Sequence, residues 1–472
     1  MTTWLPQVSV VIPAYNQALF LGEAIGSVLD QSYTDYELIV VNDASPDNTD
    51  EVVSQFTDAR IKYIVHKHNK GLPAARNTGI RNSRGEFIAL LDADDIFHPT
   101  KLESHINFFE EHPHIGVSYN NRFELNYSAK TIRGIWRPPR TVSLVDFVRG
   151  FPFCPSDMVL RRDWAFKVKL FREQYTNGGE DLDFFCRLAI SGCKFARVDR
   201  ALNYRRYHSG RPRKKLSCRL DDYTRALDTI FNDLSCPQDV KALRSDAYAS
   251  HYLEVAYYAL LQGEINLGQE IIRKVIRLDP TLLEGNPSRL VDYFVDNVIK
   301  DENRNHEKLL RQMISHLPFE IAEFSEQTNW AVGRGYILRG TRAIMWNRIE
   351  VGQDHFARAK SLGAQIDEAF LRQLVAQLLN YEAEFGPEAT EEVIQRLSPF
   401  LNWVGKPASA RWLKGCYSAN KGLRSFKAGE YSIVPGNVLR AAIYDPAYLL
   451  NRGLLSIMSR SLLHSIIQSL RI

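Results

Sequence analysis

The first third of the chain contains short apolar runs that alternate with helix-like segments. Residues 8–12 and 38–41 are almost unbroken in apolar character, which is typical of a strand covered on both faces. Residues 61–65 and 87–91 give two further strand patterns, and residues 17–31 carry a helical apolar stripe. This alternation predicts an α/β domain with a mostly parallel sheet, whose ligand sites lie at the carboxyl ends of the strands.

The second half of the chain has a different pattern. Beyond Arg219 strand signals nearly vanish and helical periodicity dominates, which predicts a mainly α domain at 221–472 after an α/β domain at 1–220. Segments beginning at Ala249, Gly333 and Gly415 place aromatic, small and helix-ending residues as a tetratricopeptide hairpin does. They predict degenerate tetratricopeptide-like hairpins, and generic helix pairs are the alternative.

Composition limits the classes of protein to which the chain can belong. The net charge of +4 in 472 residues is too small to indicate a nucleic-acid partner. The 6 cysteines include no C-x-x-C pair, which fits a reducing compartment. No run of about 18 apolar residues is present, so we expect a cytoplasmic protein without a membrane span.

Three acids follow the fourth predicted strand: Asp92, Asp94 and Asp95. Carboxylates this close repel one another unless a cation compensates them, and oxygen-only ligation selects Mg²⁺ or Mn²⁺. A calcium loop of the EF-hand type is excluded, because Phe97 stands where that loop requires glycine. A polar turn that caps the next helix is the alternative.

Two other predicted strands also end in residues that can reach a ligand. Pro13 ends the first strand, and Tyr15, two residues later in the sequence, could stack on a flat base. Asp43 follows the second strand and could accept a hydrogen bond from a base or a ribose. A simple strand-ending turn is the alternative for the first motif, and helix capping by Asp43 or Ser45 for the second.

A fourth motif opens a helix predicted at 180–190. Gly178 and Gly179 precede Glu180 and Asp181, and the two glycines would leave backbone room for a ligand. A carboxylate in such a pocket could act as a general base. Complementarity to the helix dipole is the alternative, since acids are favoured at any helix N-terminus.

Taken in order, these motifs resemble the family 2 glycosyltransferases, which have the GT-A fold, a Rossmann-like nucleotide-binding architecture. The resemblance runs from about Val8 to His208. It is carried by the segments VSVVIPAYN, VLDQSYTDYELIVVND, NKGLPAARNTGI, LLDADD, GGED and RYH. Because several independent motifs occur at the expected separations, the match is more specific than any single motif.

The resemblance implies roles for the matching residues. At the donor nucleotide, Pro13 and Tyr15 would contact the base and Asp43 would hydrogen-bond it, while Asn69 and Arg76 would approach base or diphosphate.

At the reacting end, the resemblance implies that Asp92 faces the ribose and the water shell of the metal, and that Asp94 ligates the metal directly. Glu180 would bind sugar or acceptor, Asp181 would be the catalytic base, and His208 would lie near the diphosphate.

The implied activity is an inverting, Mn²⁺- or Mg²⁺-dependent transfer of a sugar from a nucleoside-diphosphate donor, expected to be UDP-linked. The acceptor would be a glycan, lipid-linked or protein hydroxyl in cell-surface glycan synthesis. The second strand ends Asn-Asp-Ala-Ser where the family commonly has two acids and a glycine, which weakens the base assignment. The alternatives are a helical scaffold, which would bind a protein partner and carry an inactive donor domain, and a nucleotidyltransferase, for which no glycine-rich phosphate loop is present.

Two basic segments have several interpretations. Residues 205–219 contain seven cationic residues and no acidic residue. This segment could form a lid over the diphosphate, attract an anionic lipid or a phosphorylated acceptor, or be a solvated linker. In the tail, one predicted helical face consists of Met458, Leu462, Leu463, Ile466, Ile467 and Leu470. That face predicts peripheral contact with the inner face of the membrane or, alternatively, packing against its own domain.

Overall fold

The structure, a computed structural model, describes residues 5–126, 131–208, 215–406 and 408–469. It divides into two compact units, Met1–Glu326 and Gln327–Ile472. The mostly helical part of the chain begins at Leu216, near the predicted change at residue 220, and its first helices belong to the same compact unit as the sheet. The predicted domain boundary at residue 220 stays a prediction.

Ten strands form one mixed sheet within the described residues, in the order β3-β2-β1-β4-β9-β6-β10-β5, with β7 on β6 and β8 on β10. Their bounds are β1 (Val8–Ala14), β2 (Tyr36–Asn42), β3 (Ile61–Val65), β4 (Phe87–Leu90), β5 (Ile96–Phe97), β6 (Val117–Asn126), β7 (Thr131–Trp136), β8 (Thr141–Val142), β9 (Met158–Arg161) and β10 (Phe195–Tyr207).

The helices of the first unit lie around this sheet and after it. They are α1 (Ala18–Leu29), α2 (Thr49–Ser54), α3 (Leu72–Arg81), α4 (Lys101–Glu111), α5 (Leu144–Arg149), α6 (Arg162–Lys167), α7 (Glu180–Ile190), α8 (Leu216–Phe231), α9 (Gln238–Lys241), α10 (Arg244–Gln262), α11 (Ile265–Leu278), α12 (Arg289–Val298) and α13 (His306–Ser315).

The predicted fold class is confirmed. β1 pairs in parallel with both β2 and β4, and every residue of these three strands is buried, as their unbroken apolar runs require. The apolar face of α1 packs on this part of the sheet through Leu21, Ile25 and Val28. The carboxyl ends of β1, β2 and β4 therefore lie side by side at one edge of the sheet.

β10 is one long strand where the sequence shows two extended segments, at 194–198 and 203–208. It pairs in parallel with β6, and its register shifts between Val198 and Ala201 and again between Ala201 and Asn203. These irregularities interrupt the alternation from which a strand is recognised. The strand continues to Tyr207, so its last residues reach the edge at which β4 ends.

The three segments with tetratricopeptide-like spacing each form a helical hairpin. In the first unit the hairpin is α10 and α11; in the second it is formed by α14 (Thr328–Met345) with α15 (Ile349–Ser361), and by α17 (Ser409–Ala428) with α18 (Val434–Tyr444). Glycines allow close approach: a Cβ on Gly340 would lie 2.9 Å from Phe356 Cδ2, and one on Gly352 would lie 2.4 Å from Ile344 Cδ1. A relation to tetratricopeptide repeats stays a prediction.

The second unit also contains α16 (Glu368–Val404), interrupted at Gly386 where φ is +85°, and α19 (Arg452–Ser469). In α19, Leu454 and Ile457 are buried and Met458 packs against the same cluster, whereas Leu462 and Leu463 are exposed. Of the predicted apolar face, Met458 therefore packs in the core of the unit, whereas Leu462 and Leu463 are exposed to solvent. The side chains of Ile466, Ile467 and Leu470 lie outside the described residues.

Candidate functional site

The acids after β4 lie together. One carboxylate oxygen from each of Asp92, Asp94 and Asp95 falls within 4.8 Å of the others. Asp94 and Asp95 are buried, whereas the side chain of Asp92 is 30 % exposed. Carboxylate oxygens are hard ligands, so this donor set fits Mg²⁺ or Mn²⁺. Sequence reasoning grouped these three acids and named Asp92 and Asp94 as the ligands; the structure places an oxygen of Asp95 within the same distance.

The end of β10 contacts these acids. The backbone N–H of Arg206 donates to Asp95 Oδ1 at 3.1 Å, and its Nη1 donates to the carbonyl oxygen of Asp94 at 3.1 Å. His208 Nε2 lies 3.0 Å from Asp94 Oδ2, and its ring packs against Phe20 at 4.2 Å between centroids. The late histidine of the sequence motif is thus placed beside the strand-end acids.

Arg76 on α3 joins two of the sequence motifs. Its Nη2 donates to Asp92 Oδ1 at 2.9 Å, and its Nη1 donates to Asp181 Oδ1 at 2.6 Å. Glu180 Oε1 lies 3.7 Å from the same Nη1. The acid that ends β4 and the acids that begin α7 are therefore parts of one cluster, although they are far apart in the sequence.

Electrostatics explain how this cluster tolerates its charges. Burial by itself would lower the pKa of Arg76, but the carboxylates of Asp181, Asp92 and Glu180 outweigh it and raise that pKa above its ordinary value. The guanidinium, 1 % exposed, is therefore a permanent cation. It compensates acids that would otherwise repel one another.

The first turn of α7 presents its three acids to different surroundings. Asp183 is fully buried and pairs with Arg172 at 2.8 Å and with Arg187 at 2.6 Å, which gives it a structural role. Glu180 is buried, whereas the Asp181 side chain is 23 % exposed. Of the three, Asp181 is the acid that a substrate can best reach while still lying in the cluster.

The two glycines before α7 face α8, and their expected role of leaving backbone room for a ligand stays a prediction. The space beside them is filled by α8: a Cβ on Gly178 would lie 3.2 Å from Arg219 Cγ, and one on Gly179 would lie 3.2 Å from the backbone oxygen of Asp222. Gly179 also has φ of +81°, which favours glycine. The glycines let α8 approach the start of α7, because a side chain at either position would meet atoms of α8.

Asp43 is largely occupied by its own chain. Its carboxylate accepts hydrogen bonds of 2.8 Å from the backbone N–H groups of Lys70 and Gly71, and His66 Nδ1 lies 2.7 Å from its Oδ1. The side chain is buried. Asp43 thus fixes the loop that leads into α3, and a hydrogen bond from it to a base stays a prediction.

The other predicted donor-binding residues occupy the same edge of the sheet. The prediction that Pro13 ends the first strand is wrong, because β1 continues to Ala14 and Pro13 lies opposite Val41. Tyr15 follows the strand with its side chain exposed. Asn69 is exposed in the loop before α3. No described contact connects Tyr15 or Asn69 with the Arg76 cluster among residues 5–126, 131–208, 215–406 and 408–469, and their roles stay predictions.

Sequence reasoning missed residues of the helical segment that pack beside the turn before α7. Arg219 on α8 donates from Nη2 to Glu254 Oε1 of α10 at 2.7 Å and to the Tyr223 hydroxyl at 3.1 Å. Arg219 appeared in the sequence only as part of a basic run, of which residues 211, 213 and 214 lie outside the described residues. No local motif marks Tyr223 or Glu254, because they meet only when α8 and α10 pack together.

A buried polar network includes Lys101, on which the charge of Asp95 acts. Lys101 Nζ donates to Asn120 Oδ1 at 2.5 Å, and Asn120 donates to Asn203, which in turn donates to Asp157 at 3.0 Å. Burial lowers the pKa of Lys101 to about 7, although Asp157, Cys154 and Asp95 oppose the shift.

Known proteins are similar to the N-terminal part of this chain. A family model described as Glycosyl transferase family 2 matches residues 9–167. The putative glycosyltransferase EpsE of Bacillus subtilis (strain 168) is 33 % identical over 201 residues, which cover 42 % of this chain and 72 % of EpsE. The chain belongs to glycosyl transferase family 2. The strand-end motifs of this glycosyltransferase lie within the matched residues, and its N-terminal sheet is of the GT-A type.

Further relatives share a shorter region with this glycosyltransferase. The Escherichia coli protein WfgD, named UDP-Glc:alpha-D-GlcNAc-diphosphoundecaprenol beta-1,3-glucosyltransferase, is 41 % identical over 114 residues, which are 24 % of this chain and 45 % of WfgD. The chain thus matches less than half the length of WfgD.

Two solved structures are similar at low overall scores. S. aureus TarS 1–349 in complex with UDP is 16 % identical with a TM-score of 0.40, covering 75 % of this chain and 90 % of that one. The mannosyltransferase PcManGT from Pyrobaculum calidifontis, in complex with GDP-Man and Mn²⁺, is 17 % identical with a TM-score of 0.40, covering 64 % and 88 %.

Proposed function

We propose that this glycosyltransferase moves a hexosyl group from a nucleoside-diphosphate sugar to an acceptor hydroxyl, with inversion at the anomeric carbon. The observation that carries the proposal is the pair of hydrogen bonds from Arg76 to Asp92 and Asp181. They support one site in which a donor held at the strand-end acids lies next to a candidate base.

Asp181 is the proposed base. In a single displacement, the acceptor oxygen bonds to the anomeric carbon while the bond from that carbon to the diphosphate oxygen breaks. The acceptor proton passes to Asp181, and the nucleoside diphosphate leaves with the electron pair. Attack from the face opposite the leaving group inverts the centre, so an α-linked donor gives a β-glycoside.

Asp94, with Asp92 and Asp95 beside it, would hold a divalent cation, Mn²⁺ or Mg²⁺. Such an ion supplies positive charge that stabilises the departing diphosphate. His208 lies within hydrogen-bond distance of Asp94 and would orient that carboxylate.

The donor and acceptor classes are proposed from the names of similar proteins. UDP is the proposed nucleotide, as in the names of WfgD and of the TarS complex. A glycan or lipid-linked acceptor is proposed for cell-surface polysaccharide or glycolipid synthesis, and the printed name of WfgD includes a diphosphoundecaprenol acceptor. A protein acceptor is the remaining candidate.

Peripheral membrane contact is a second proposal. Among the described residues, no helix is both long and apolar enough to cross a bilayer. The second unit nevertheless exposes Ile443, Leu450 and Leu463, and the chain after Asp445 carries no acidic residue. Apolar side chains with basic neighbours support contact with an anionic lipid surface.

A donor panel tests the activity. Incubation with UDP- and GDP-linked sugars and Mn²⁺ should give slow donor hydrolysis that stops on chelation, and NMR coupling constants of a transfer product should report inversion. A protein that hydrolyses no donor would instead support the scaffold alternative, in which the helices bind a protein partner.

A further inference from the structure

A polar group formed by α8 and α10 lies beside the start of α7. Arg219 and Tyr223 are four residues apart on α8, and Glu254 and Tyr258 are four apart on α10, so each pair shares one helix face. Arg219 Nη2 joins the faces, with hydrogen bonds of 2.7 Å to Glu254 Oε1 and 3.1 Å to the Tyr223 hydroxyl. Its guanidinium carbon lies 5.0 Å from the ring centre of Tyr258.

This group adjoins the glycines that precede the proposed base. A Cβ on Gly178, three residues before Asp181, would lie 3.2 Å from Arg219 Cγ and 3.7 Å from Tyr223 Cζ. The pKa of Tyr223 is raised, mainly by burial, and the charge of Glu180 adds to the shift. The polar group therefore borders the same turn of α7 that carries the base.

Two members of the group are open to a ligand. The side chains of Arg219 and Glu254 are 21 % and 29 % exposed, close to the 23 % of Asp181. Tyr223 is buried, so its hydroxyl holds Arg219 in place without reaching the surface. Accessible charged side chains beside a proposed base are candidates for substrate binding.

Hydrogen-bonding capacity remains on both ions. Only Nη2 of Arg219 has a hydrogen-bond partner among the residues that the structure describes, and its Nε is buried. Glu254 accepts one bond of 2.7 Å and one of 3.4 Å, and a carboxylate can accept about four. The pair can therefore donate to one ligand oxygen and accept from another.

We propose that Arg219 and Glu254 form an acceptor subsite that binds hydroxyl groups of an uncharged sugar. The charges of the pair cancel, whereas Glu180 and Asp181 nearby would repel an anionic acceptor. Sugar hydroxyls both donate and accept hydrogen bonds, which matches a guanidinium beside a carboxylate. The inference rests on the proposed transferase function, because that function defines an acceptor. Tyr223 is a positioning residue here.

Ligand-observed NMR titration tests the subsite. Methyl α- and β-glycosides of glucose, galactose and N-acetylglucosamine are titrated into the full chain with UDP and Mn²⁺ present. Glu254→Gln should raise the Kd of the bound glycoside about tenfold or more, since it removes a charged acceptor. Arg219→Lys should also weaken binding, because it keeps the charge but loses the planar fork.

The matched control is Asp228→Asn. Asp228 on α8 pairs with Arg244 on α10 at 3.0 Å, so this variant breaks another ion pair between the same two helices. It should leave glycoside affinity unchanged. Thermal unfolding of each variant separates a folding defect from a binding defect, and if Glu254→Gln does not fold, Arg219→Lys decides.

The proposal is overturned if the folded variants bind glycosides as tightly as the wild type, or if the wild type binds none of them. UDP affinity is measured in the same samples. If the wild type binds glycosides but does not bind UDP, the transferase function is contradicted. The proposal that Arg219 and Glu254 bind sugar is then still supported.

Discussion

Arg76 Nη1 donates a hydrogen bond of 2.6 Å to Asp181 Oδ1, although 105 residues separate them in the chain. Through Arg76, the contact joins the proposed base to the acid at the end of β4. Because the two residues are in contact, the effects of substituting them are expected to be coupled.

Asp181→Asn should lower kcat by about 10²- to 10⁴-fold, because an amide cannot take up the acceptor proton. Donor affinity should stay near the wild-type value, since the substitution conserves shape. Steady-state kinetics and UDP calorimetry measure the two quantities. Asp163→Asn on the exposed surface of α6 is the control. A fully active Asp181→Asn enzyme would remove this residue from the role of base.

Arg76→Gln should lower the free energy of unfolding by about 3–5 kcal/mol, because it leaves buried or half-buried acids without their cation. Arg81→Gln, on the exposed side of the same helix, should cost less than about 1 kcal/mol. Urea denaturation measures both. Added Mn²⁺ should recover part of the loss in Arg76→Gln if the acids bind metal. Equal losses in the two variants would contradict this account.

Lys101 should make stability depend on pH. Burial lowers its pKa from 10.5 to about 7, so above pH 7 the folded chain releases a proton that the unfolded chain keeps up to about pH 10. Stability from this group therefore rises with pH between those limits and is flat below pH 7. Lys101→Met should lose this slope in denaturation curves measured from pH 6 to 10. An unchanged slope would show that other groups dominate.

Gly179→Ala should destabilise the protein more than Gly192→Ala does. The two glycines have φ of +81° and +85°, so alanine pays a similar backbone penalty at each. Only at position 179 would the new Cβ meet α8, at 3.2 Å from the Asp222 oxygen, whereas nothing lies within 4 Å at position 192. The extra loss should be about 1–3 kcal/mol by urea denaturation. Equal losses would mean that α8 shifts to accommodate the new Cβ at little cost in free energy.

Membrane contact should depend on exposed leucines of α19. The double variant Leu462→Gln with Leu463→Gln should co-sediment less with anionic liposomes than the wild type, because each lost leucine removes apolar area from the interface. Leu234→Gln, at a 97 % exposed position in the first unit, is the control and should bind as the wild type does. Equal sedimentation of all three proteins would exclude these leucines from lipid binding.

The parts of the fold that local pattern decides could be predicted from the sequence. The apolar runs located β1, β2 and β4, and the periodicity of 180–190 gave α7 with its observed bounds. The two segments of β10 were not recognised as one strand, because its register shifts break the alternation. The acids at 92, 94, 180 and 181 were predicted as site residues because they stand at element ends, and their roles stay predictions.

Other site features depend on packing between distant segments. The sequence does not show that the carboxylate of Asp43 accepts hydrogen bonds from the backbone of residues 70 and 71, which return to it from another loop. Glu254 has no local signal, since its partner Arg219 comes from another helix. Such contacts arise from tertiary structure, which a single sequence does not display.

The close approach of α8 to the two glycines has a practical consequence for anyone who shortens this protein. A truncation at residue 220, where the sequence becomes mainly helical in pattern, would delete Asp222 and Tyr223. The N-terminal end of α7, which carries Glu180 and Asp181, would then be exposed to solvent. An expression fragment meant to retain chemistry should instead extend through Glu326, where the compact unit ends.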